Sequence, residues 1–134
     1  MTGKHVLVIE DDALNMKLVK TFLACSGLAV LEAIDAVSGL RLAREHKPDL
    51  ILMDIRLPGM NGLTATRKIR SDKALKDIPV VALTSHALDG DEERARQAGC
   101  NGYIVKPLDT RSFLESLSEF FDTTTPSCGN QEEP

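Results

Sequence analysis

The stretch DLILMDIRLPGMNG, residues 49–62, indicates the fold most directly. Its first half, residues 49–54, is an apolar run that ends in an acid. Because polar residues do not alternate within this run, it is typical of a strand that is covered on both faces. The second half contains proline, asparagine and two glycines, which favour loops. The stretch therefore predicts a central strand of a parallel sheet that ends at Asp54 and continues into a loop.

Segments of two kinds alternate along the rest of the chain. Four further apolar runs predict strands at residues 5–10, 29–33, 80–83 and 102–105. Helices are predicted after each strand, at residues 14–26, 36–47, 63–70, 89–98 and beyond Pro107. In the first helix, Leu14, Leu18 and Phe22, with Val19 and Leu23 beside them, recur at helical spacing.

Five strands that alternate with five helices predict an α/β domain with a parallel sheet and helices on both of its faces. The length of 134 residues fits one domain. We assign residues 1–122 to this domain. Residues 123–134, TTTPSCGNQEEP, lack apolar periodicity and are interpreted as a disordered C-terminal tail.

Composition excludes several classes of protein. The net charge of −4, without a basic cluster, argues against sequence-independent binding of nucleic acid, which requires lysine and arginine. No apolar run approaches the roughly 20 residues that span a bilayer, and the N-terminus lacks the pattern of a signal peptide. We therefore expect a cytoplasmic protein. Cys25, Cys100 and Cys128 form no CxxC pair, so we expect reduced thiols and no zinc site.

Acidic residues follow two of the predicted strands. Glu10, Asp11 and Asp12 come after the first strand, and Asp54 ends the third. The carboxyl ends of parallel strands lie at one edge of the sheet, so these acids converge if the two strands are neighbours. Converging carboxylates repel one another and favour a cation between them. Magnesium suits a site with few carboxylates and oxygen ligands only.

The same edge should carry Thr84, after the fourth strand, and Lys106, after the fifth. This set is suited to phosphoryl transfer onto a carboxylate, with Asp54 as the nucleophile that forms an acyl phosphate. Asp11 and Asp12 would hold the metal. Thr84 and Lys106 would neutralise the phosphoryl oxygens. Two simpler interpretations stay open: Asp12 is only a helix N-cap, and Lys106 is only a surface lysine.

Four motifs occur in a fixed order: VLVIEDD at 6–12, DLILMDIRLPGMNG at 49–62, ALTSHA at 82–87 and GYIVKP at 102–107. In these motifs the chain resembles the receiver domains of bacterial two-component response regulators, over about residues 4–121. The resemblance implies a doubly wound, flavodoxin-like sheet of five parallel strands in the order 2-1-3-4-5.

The resemblance also implies a function. Asp54 would accept a phosphoryl group from a sensor histidine kinase or a histidine phosphotransfer protein. Asp11, Asp12, Asp54 and the backbone carbonyl of Arg56 would bind Mg2+. The chain would be a phosphoacceptor that assists its own phosphorylation and slow dephosphorylation, and it would not be an enzyme in the ordinary sense. Its signal would be a phosphorylation-dependent protein–protein interaction.

Further residues match positions with a known role in such domains. Tyr103 matches an aromatic residue that switches together with Thr84, so that the face of helix 4, strand 5 and helix 5 meets a downstream protein. The alternative to this switching role is that Tyr103 only packs against its neighbours. Arg56, Ser85 and His86 match or flank positions that tune the lifetime of the acyl phosphate.

Other functions stay open. The chain is either a stand-alone receiver or a receiver excised from a larger regulator or hybrid histidine kinase, as a monomer or a weak homodimer. A pseudo-receiver that only binds partners is a second possibility. A hydrolase of the haloacid dehalogenase type is disfavoured, because Arg56 occupies the position of its second acid and cannot act as a general acid or base. A flavodoxin-like cofactor carrier is disfavoured by the acidic first turn.

Overall fold

The computed structural model describes residues 4–25, 27–57, 59–84 and 91–105. This part of the chain forms five strands and four helices. They are β1 (His5–Ile9), α1 (Ala13–Cys25), β2 (Ala29–Ala33), α2 (Ala36–His46), β3 (Leu50–Asp54), α3 (Gly62–Ser71), β4 (Val80–Thr84), α4 (Asp91–Ala98) and β5 (Gly102–Val105). The predicted fifth helix, the predicted tail and the site candidates Ser85, His86 and Lys106 lie outside the described residues.

All five strands form one parallel sheet in the order β2-β1-β3-β4-β5. This flavodoxin-like topology confirms the predicted fold. The order places β1 directly beside β3, with Ile9 paired to Met53. The chain turns to one side of β1 for β2 and to the other side for β3, and binding sites in open α/β sheets form at such a reversal.

The core lies on both faces of the sheet because successive residues of a buried strand point in opposite directions. On one face, Leu7 and Ile9 pack in a cluster with residues of α2 and α3. On the other face, Val6 and Val8 pack in a cluster with residues of α1. Every residue of β3 and β4 is buried, including the polar residues at their carboxyl ends. The sheet edge therefore presents polar side chains from a rigid apolar scaffold.

Helix α1 buries only part of the face that Leu14, Leu18 and Phe22 suggested, because Phe22 packs against the core whereas Leu14 and Leu18 are exposed. Its buried residues are Met16, Val19 and Leu23, whereas Leu14 is 77% exposed and Leu18 is 38% exposed. At about 100° per residue, Leu14 lies roughly 140° around the helix from Val19. The expected face is therefore wrong for Leu14, while Val19 and Leu23 are buried as their spacing suggested.

Local signals fix the starts of two helices. The side chain of Asp35 accepts a hydrogen bond from the backbone N–H of Ser38 at 2.8 Å and caps α2. The side chain of Asn61 accepts one from Thr64 N–H at 2.9 Å and caps α3. Both hydrogen bonds are typical of an N-cap, because each satisfies a backbone N–H that has no partner within the helix.

Within the described ranges, no helix is both long and apolar enough to cross a bilayer.

Candidate functional site

Asp54 is the last residue of β3 and lies between β1 and β4 in the sheet. Its side chain is only 7% exposed. The backbone N–H of Arg56 donates a hydrogen bond to Asp54 Oδ1 at 2.9 Å, and Ile55 N–H donates to the carbonyl of Leu83 at 3.2 Å. These two bonds tie the start of the following loop to the end of the sheet. They hold the carboxylate in one orientation at the carboxyl edge.

Two acids from the end of β1 converge on Asp54. Carboxylate oxygens of Glu10, Asp11 and Asp54 all lie within 4.8 Å of one another. Glu10 is only 1% exposed, whereas Asp11 is exposed. The convergence follows from the pairing of β1 with β3, as the sequence predicted for acids at neighbouring strand ends.

Asp12 lies next to this group in sequence but serves helix α1. Its Oδ1 accepts a hydrogen bond from Leu14 N–H at 2.9 Å, and its Oδ2 accepts one from the Asn15 side chain at 3.1 Å. Its carbonyl accepts the first bond of the helix, from Met16 N–H at 2.9 Å. Asp12 is therefore the N-cap of α1, and Glu10 occupies the place in the acidic group that the sequence analysis assigned to Asp12.

The acidic group fits a hard divalent cation. Its donors are all carboxylate oxygens, which Mg2+ and Ca2+ prefer. Oxygens on opposite sides of Mg2+ are about 4.2 Å apart, twice the ideal Mg–O distance of about 2.1 Å. The three carboxylates, within 4.8 Å of one another, lie close to that spacing. The carbonyl of Arg56, expected as a further ligand, belongs to the loop directly after Asp54, and its part in metal binding stays a prediction.

Thr84 and Tyr103 occupy the adjoining part of the sheet. Thr84 ends β4, is fully buried and is paired with Val105, so it lies at the same edge as Asp54. Tyr103 is half-buried on β5 and packs against a small cluster formed by Ile55, Ala82 and Ala95. The aromatic ring therefore links β5 to α4 and to the loop after Asp54. Its role as a switch and the role of Thr84 toward phosphate stay predictions.

Beside the acids lies an open cleft of about 660 Å³, lined by Asp11, Asn61 and residues of the loop after β3. Its lining also includes Arg56, Arg67 and Arg94, which are exposed and which we call the arginine side of the cleft. Of these three, only Arg56 was a candidate from the sequence, because Arg67 and Arg94 are ordinary charged positions of two separate helices. Only the packing of α3 and α4 brings them to the same cleft.

Helix α3 begins in direct contact with the backbone of the site. A Cβ atom on Gly62 would lie 2.5 Å from the carbonyl oxygen of Asp54 and 2.6 Å from Cα of Ile55. A side chain at this position is therefore excluded unless the backbone shifts. The glycine also donates its N–H to the carbonyl of Ile55 at 3.1 Å. This close approach fixes the position of α3, and with it Asn61 and Arg67, relative to Asp54.

Comparison with known proteins agrees with this geometry. The family model for the response regulator receiver domain matches residues 6–118. The polar-differentiation response regulator DivK of Brucella anthropi is 45% identical over 117 residues, which cover 87% of this chain and 95% of that protein. DivK of Brucella ovis matches to the same extent.

Solved structures show the same architecture. The receiver domain of a sensor histidine kinase from Pseudomonas aeruginosa, which has a magnesium ion coordinated in its active-site cleft, superposes with a TM-score of 0.82 at 35% identity. The alignment covers 89% of this chain and 98% of that one. The chemotaxis protein CheY4 of Vibrio cholerae has a TM-score of 0.83 at 24% identity, over 88% and 98% of the two chains, which shows the fold alone. The chain therefore belongs to the family of response regulator receiver domains.

Proposed function

We propose that this receiver accepts a phosphoryl group on Asp54 in the presence of Mg2+. The observation that carries the proposal is the position of the Asp54 carboxylate. It is buried at the end of β3, within 4.8 Å of carboxylate oxygens of Glu10 and Asp11. A carboxylate nucleophile needs a nearby positive charge when it approaches a phosphoryl group, and this group of acids can recruit one.

Each residue of the site has a distinct part in the transfer. One oxygen of Asp54 forms a bond to phosphorus while the bond between phosphorus and the donor's histidine nitrogen breaks, and that nitrogen keeps the electron pair. The N–H of Arg56, which holds Asp54 Oδ1 at 2.9 Å, orients the nucleophile. The hydroxyl of Thr84 donates a hydrogen bond to a phosphoryl oxygen, and Lys106 adds a positive charge.

Glu10, Asp11 and Asp54 would hold the metal ion, directly or through water. When bound, Mg2+ supplies positive charge against the phosphoryl oxygens. The related receiver from P. aeruginosa, with its magnesium ion in the active-site cleft, supports this assignment.

The proposed output is a change of binding surface. Phosphate at Asp54 would draw Thr84 toward it, and Tyr103 would then turn inward. A sensor histidine kinase or a histidine phosphotransfer protein would supply the phosphoryl group. A downstream protein would bind the face of α4, β5 and the predicted fifth helix. We expect a cytoplasmic monomer or weak homodimer that acts as a phosphoacceptor and has no external substrate to turn over.

Labelling with a small phosphodonor tests the proposal. Wild-type protein incubated with Mg2+ and acetyl phosphate should gain one phosphate by intact-protein mass spectrometry. The Asp54→Asn variant should gain none, and EDTA should abolish labelling of the wild type. Asp49→Asn is the matched control and should be labelled like the wild type. The carboxylate of Asp49 lies at the opposite end of β3, where it accepts a hydrogen bond from His5 N–H at 2.8 Å.

Equal labelling of wild type and Asp54→Asn would exclude Asp54 as the acceptor. A wild type that is labelled under no condition would instead favour the pseudo-receiver.

A further inference from the structure

The arginine side of the cleft is not explained by the transfer chemistry. Arg67 lies on α3 and Arg94 lies on α4, and both line the same cleft as Asp11 and Arg56. The whole chain carries a net charge of −4, yet the lining of this cleft holds three guanidinium groups and one carboxylate, that of Asp11. An anionic ligand that enters this cleft meets these three arginines as well as Asp11.

Helix packing fixes the backbone positions of both arginines beside the cleft. Arg67 follows the buried residues Ala65 and Thr66 on a helix whose first residue, Gly62, contacts the backbone of Asp54. Arg94 precedes Ala95, which is buried in the cluster that also contains Ile55. Buried neighbours hold each helix face in place, so both arginine side chains extend from fixed backbone positions beside the cleft.

The neighbouring basic residues on the same helices are placed differently. Lys68 lines a second cavity between α2 and α3, together with Arg44, and does not line the cleft. Arg96 forms ion pairs with Glu92 at 2.8 Å and Glu93 at 3.6 Å on its own helix. These two residues are suitable controls. Lys68 lies on the same helix as Arg67, and Arg96 lies on the same helix as Arg94. Each carries a positive charge, and neither lines the cleft.

The chemistry of guanidinium groups indicates the ligand. Arginine presents N–H donors in a planar fork that fits carboxylate and phosphate groups. A second anionic group on a phosphodonor would be repelled by Glu10 and Asp11 and attracted by Arg67 and Arg94. A cleft of about 660 Å³ has room for such a group, since pockets for small ligands span about 300–1,000 Å³.

We propose that the arginine side of the cleft binds a carboxylate or phosphate group carried by the phosphodonor beside the phosphoryl group that it transfers. The inference rests on the proposed function, since it concerns the selection of donors for Asp54. Two sources have this chemistry: a small acyl phosphate with a second acidic group, or an acidic side chain next to the phosphohistidine of a protein donor.

The first arm of the test compares two acyl phosphates of similar length, succinyl phosphate and butyryl phosphate. In both reactions an oxygen of Asp54 bonds to phosphorus, the bond between phosphorus and the acyl oxygen breaks, and the carboxylate leaves with the electron pair. Only succinyl phosphate carries a distal carboxylate. We expect succinyl phosphate to label the wild-type protein roughly fivefold faster than butyryl phosphate does. A rate difference of this size corresponds to the interaction energy of a solvated ion pair. The preference should diminish at high salt.

Substitutions locate the preference. Arg94→Gln and Arg67→Gln should each reduce the ratio of succinyl to butyryl labelling rates toward one. Arg96→Gln and Lys68→Gln remove the same charge from the same helices and should leave the wild-type ratio. If all four variants lower the ratio equally, the effect is one of net charge alone and the proposed subsite is excluded.

The second arm uses two phosphohistidine peptides that differ only in a glutamate or a glutamine beside the phosphohistidine. A preference for the glutamate peptide that is lost in Arg94→Gln identifies a protein donor. A preference in the acyl phosphate arm alone identifies a small-molecule donor. Equal rates within both pairs would overturn the inference while leaving Asp54 as the acceptor. Failure of all four donors to label the protein would overturn the proposed function, and this inference with it.

Discussion

Adjacent acids at the end of β1 have different tasks because a secondary-structure boundary separates them. Asp11 reaches the group that contains Asp54, whereas the carboxylate of Asp12 binds backbone and side-chain donors of α1. An N-cap residue must turn its side chain back toward the helix, which directs it away from the neighbouring site.

This difference predicts separate effects on metal affinity. Asp11→Asn should weaken Mg2+ binding by roughly tenfold or more, because it removes a charged oxygen ligand. Asp12→Asn should leave the affinity near that of the wild type and preserve stability, because asparagine caps helices as well as aspartate does. Isothermal titration calorimetry with MgCl2 measures the affinity of each variant. An equal loss in both variants would restore Asp12 as a metal ligand.

The sequence predicted correctly which strand ends form the site. It predicted less well which residue at each strand end belongs to the site. Acids at the ends of β1 and β3 were found because the end of a buried apolar run is visible in the sequence. The choice between Glu10 and Asp12 as a member of the acidic group depends on where α1 begins, and three consecutive acids do not by themselves mark that position. The pattern of an acid directly before a helix, typical of an N-cap, was the available indication.

At the scale of elements, helix boundaries were predictable because they depend on local chemistry. Asp35 caps α2, and Lys47, with φ of 46°, ends that helix directly before Pro48. The buried face of α1 was less predictable, because Leu14 and Met16 both lie in stripes of apolar residues with helical spacing. Tertiary packing chooses between such stripes, and the sequence of one helix does not contain that choice.

Two carboxylates that accept backbone hydrogen bonds, those of Asp35 and Asp72, predict how stability depends on pH. Backbone hydrogen bonds lower the pKa of Asp35, through Ser38, and of Asp72, through Ala74, with Arg44 also lowering that of Asp72. A folded-state pKa below the unfolded value of about 3.9 stabilises the protein above that pH. This contribution is lost as the pH falls through the lower, folded-state pKa.

We therefore expect the difference in unfolding free energy between wild type and Asp72→Asn to be positive at pH 7 and to shrink below a pH of about 3.9. Urea titrations at several pH values measure it. Lys73→Gln is a control beside Asp72, because Lys73 is not among the groups that lower the pKa of Asp72, so its effect should vary less with acidity. A constant difference for Asp72→Asn would contradict the assigned direction of the pKa shift.

At the scale of the whole molecule, one side chain links the carboxyl end of α3 by hydrogen bonds to the segments before β4 and β5. Arg70 Nε donates to the carbonyl of Gly99 at 2.9 Å, and Arg70 Nη1 donates to the carbonyl of Ile78 at 2.7 Å. Arg70 Nη2 donates to Asn101 Oδ1, which also accepts from Val80 N–H at 2.9 Å. These residues precede β4 and β5, so Arg70 joins α3 to the starts of two strands. No sequence pattern marks a tie over such separations.

This tie predicts that Arg70→Lys lowers the free energy of unfolding by about 1–2 kcal/mol, since an ammonium group cannot reproduce the planar fork and part of the site is solvated. Burial lowers the pKa of Arg70, yet an arginine stays protonated at neutral pH, so the loss is one of geometry. Urea unfolding measures the free energy. Hydrogen exchange should also show faster exchange of the Val80 amide. That amide donates to Asn101 Oδ1, which Arg70 holds in place.

Arg67→Lys, the same substitution on the exposed side of α3, should change neither the free energy of unfolding nor the exchange of the Val80 amide. Unchanged protection of Val80 in Arg70→Lys would show that the strands hold Asn101 without the arginine, and that core packing alone fixes the carboxyl end of α3.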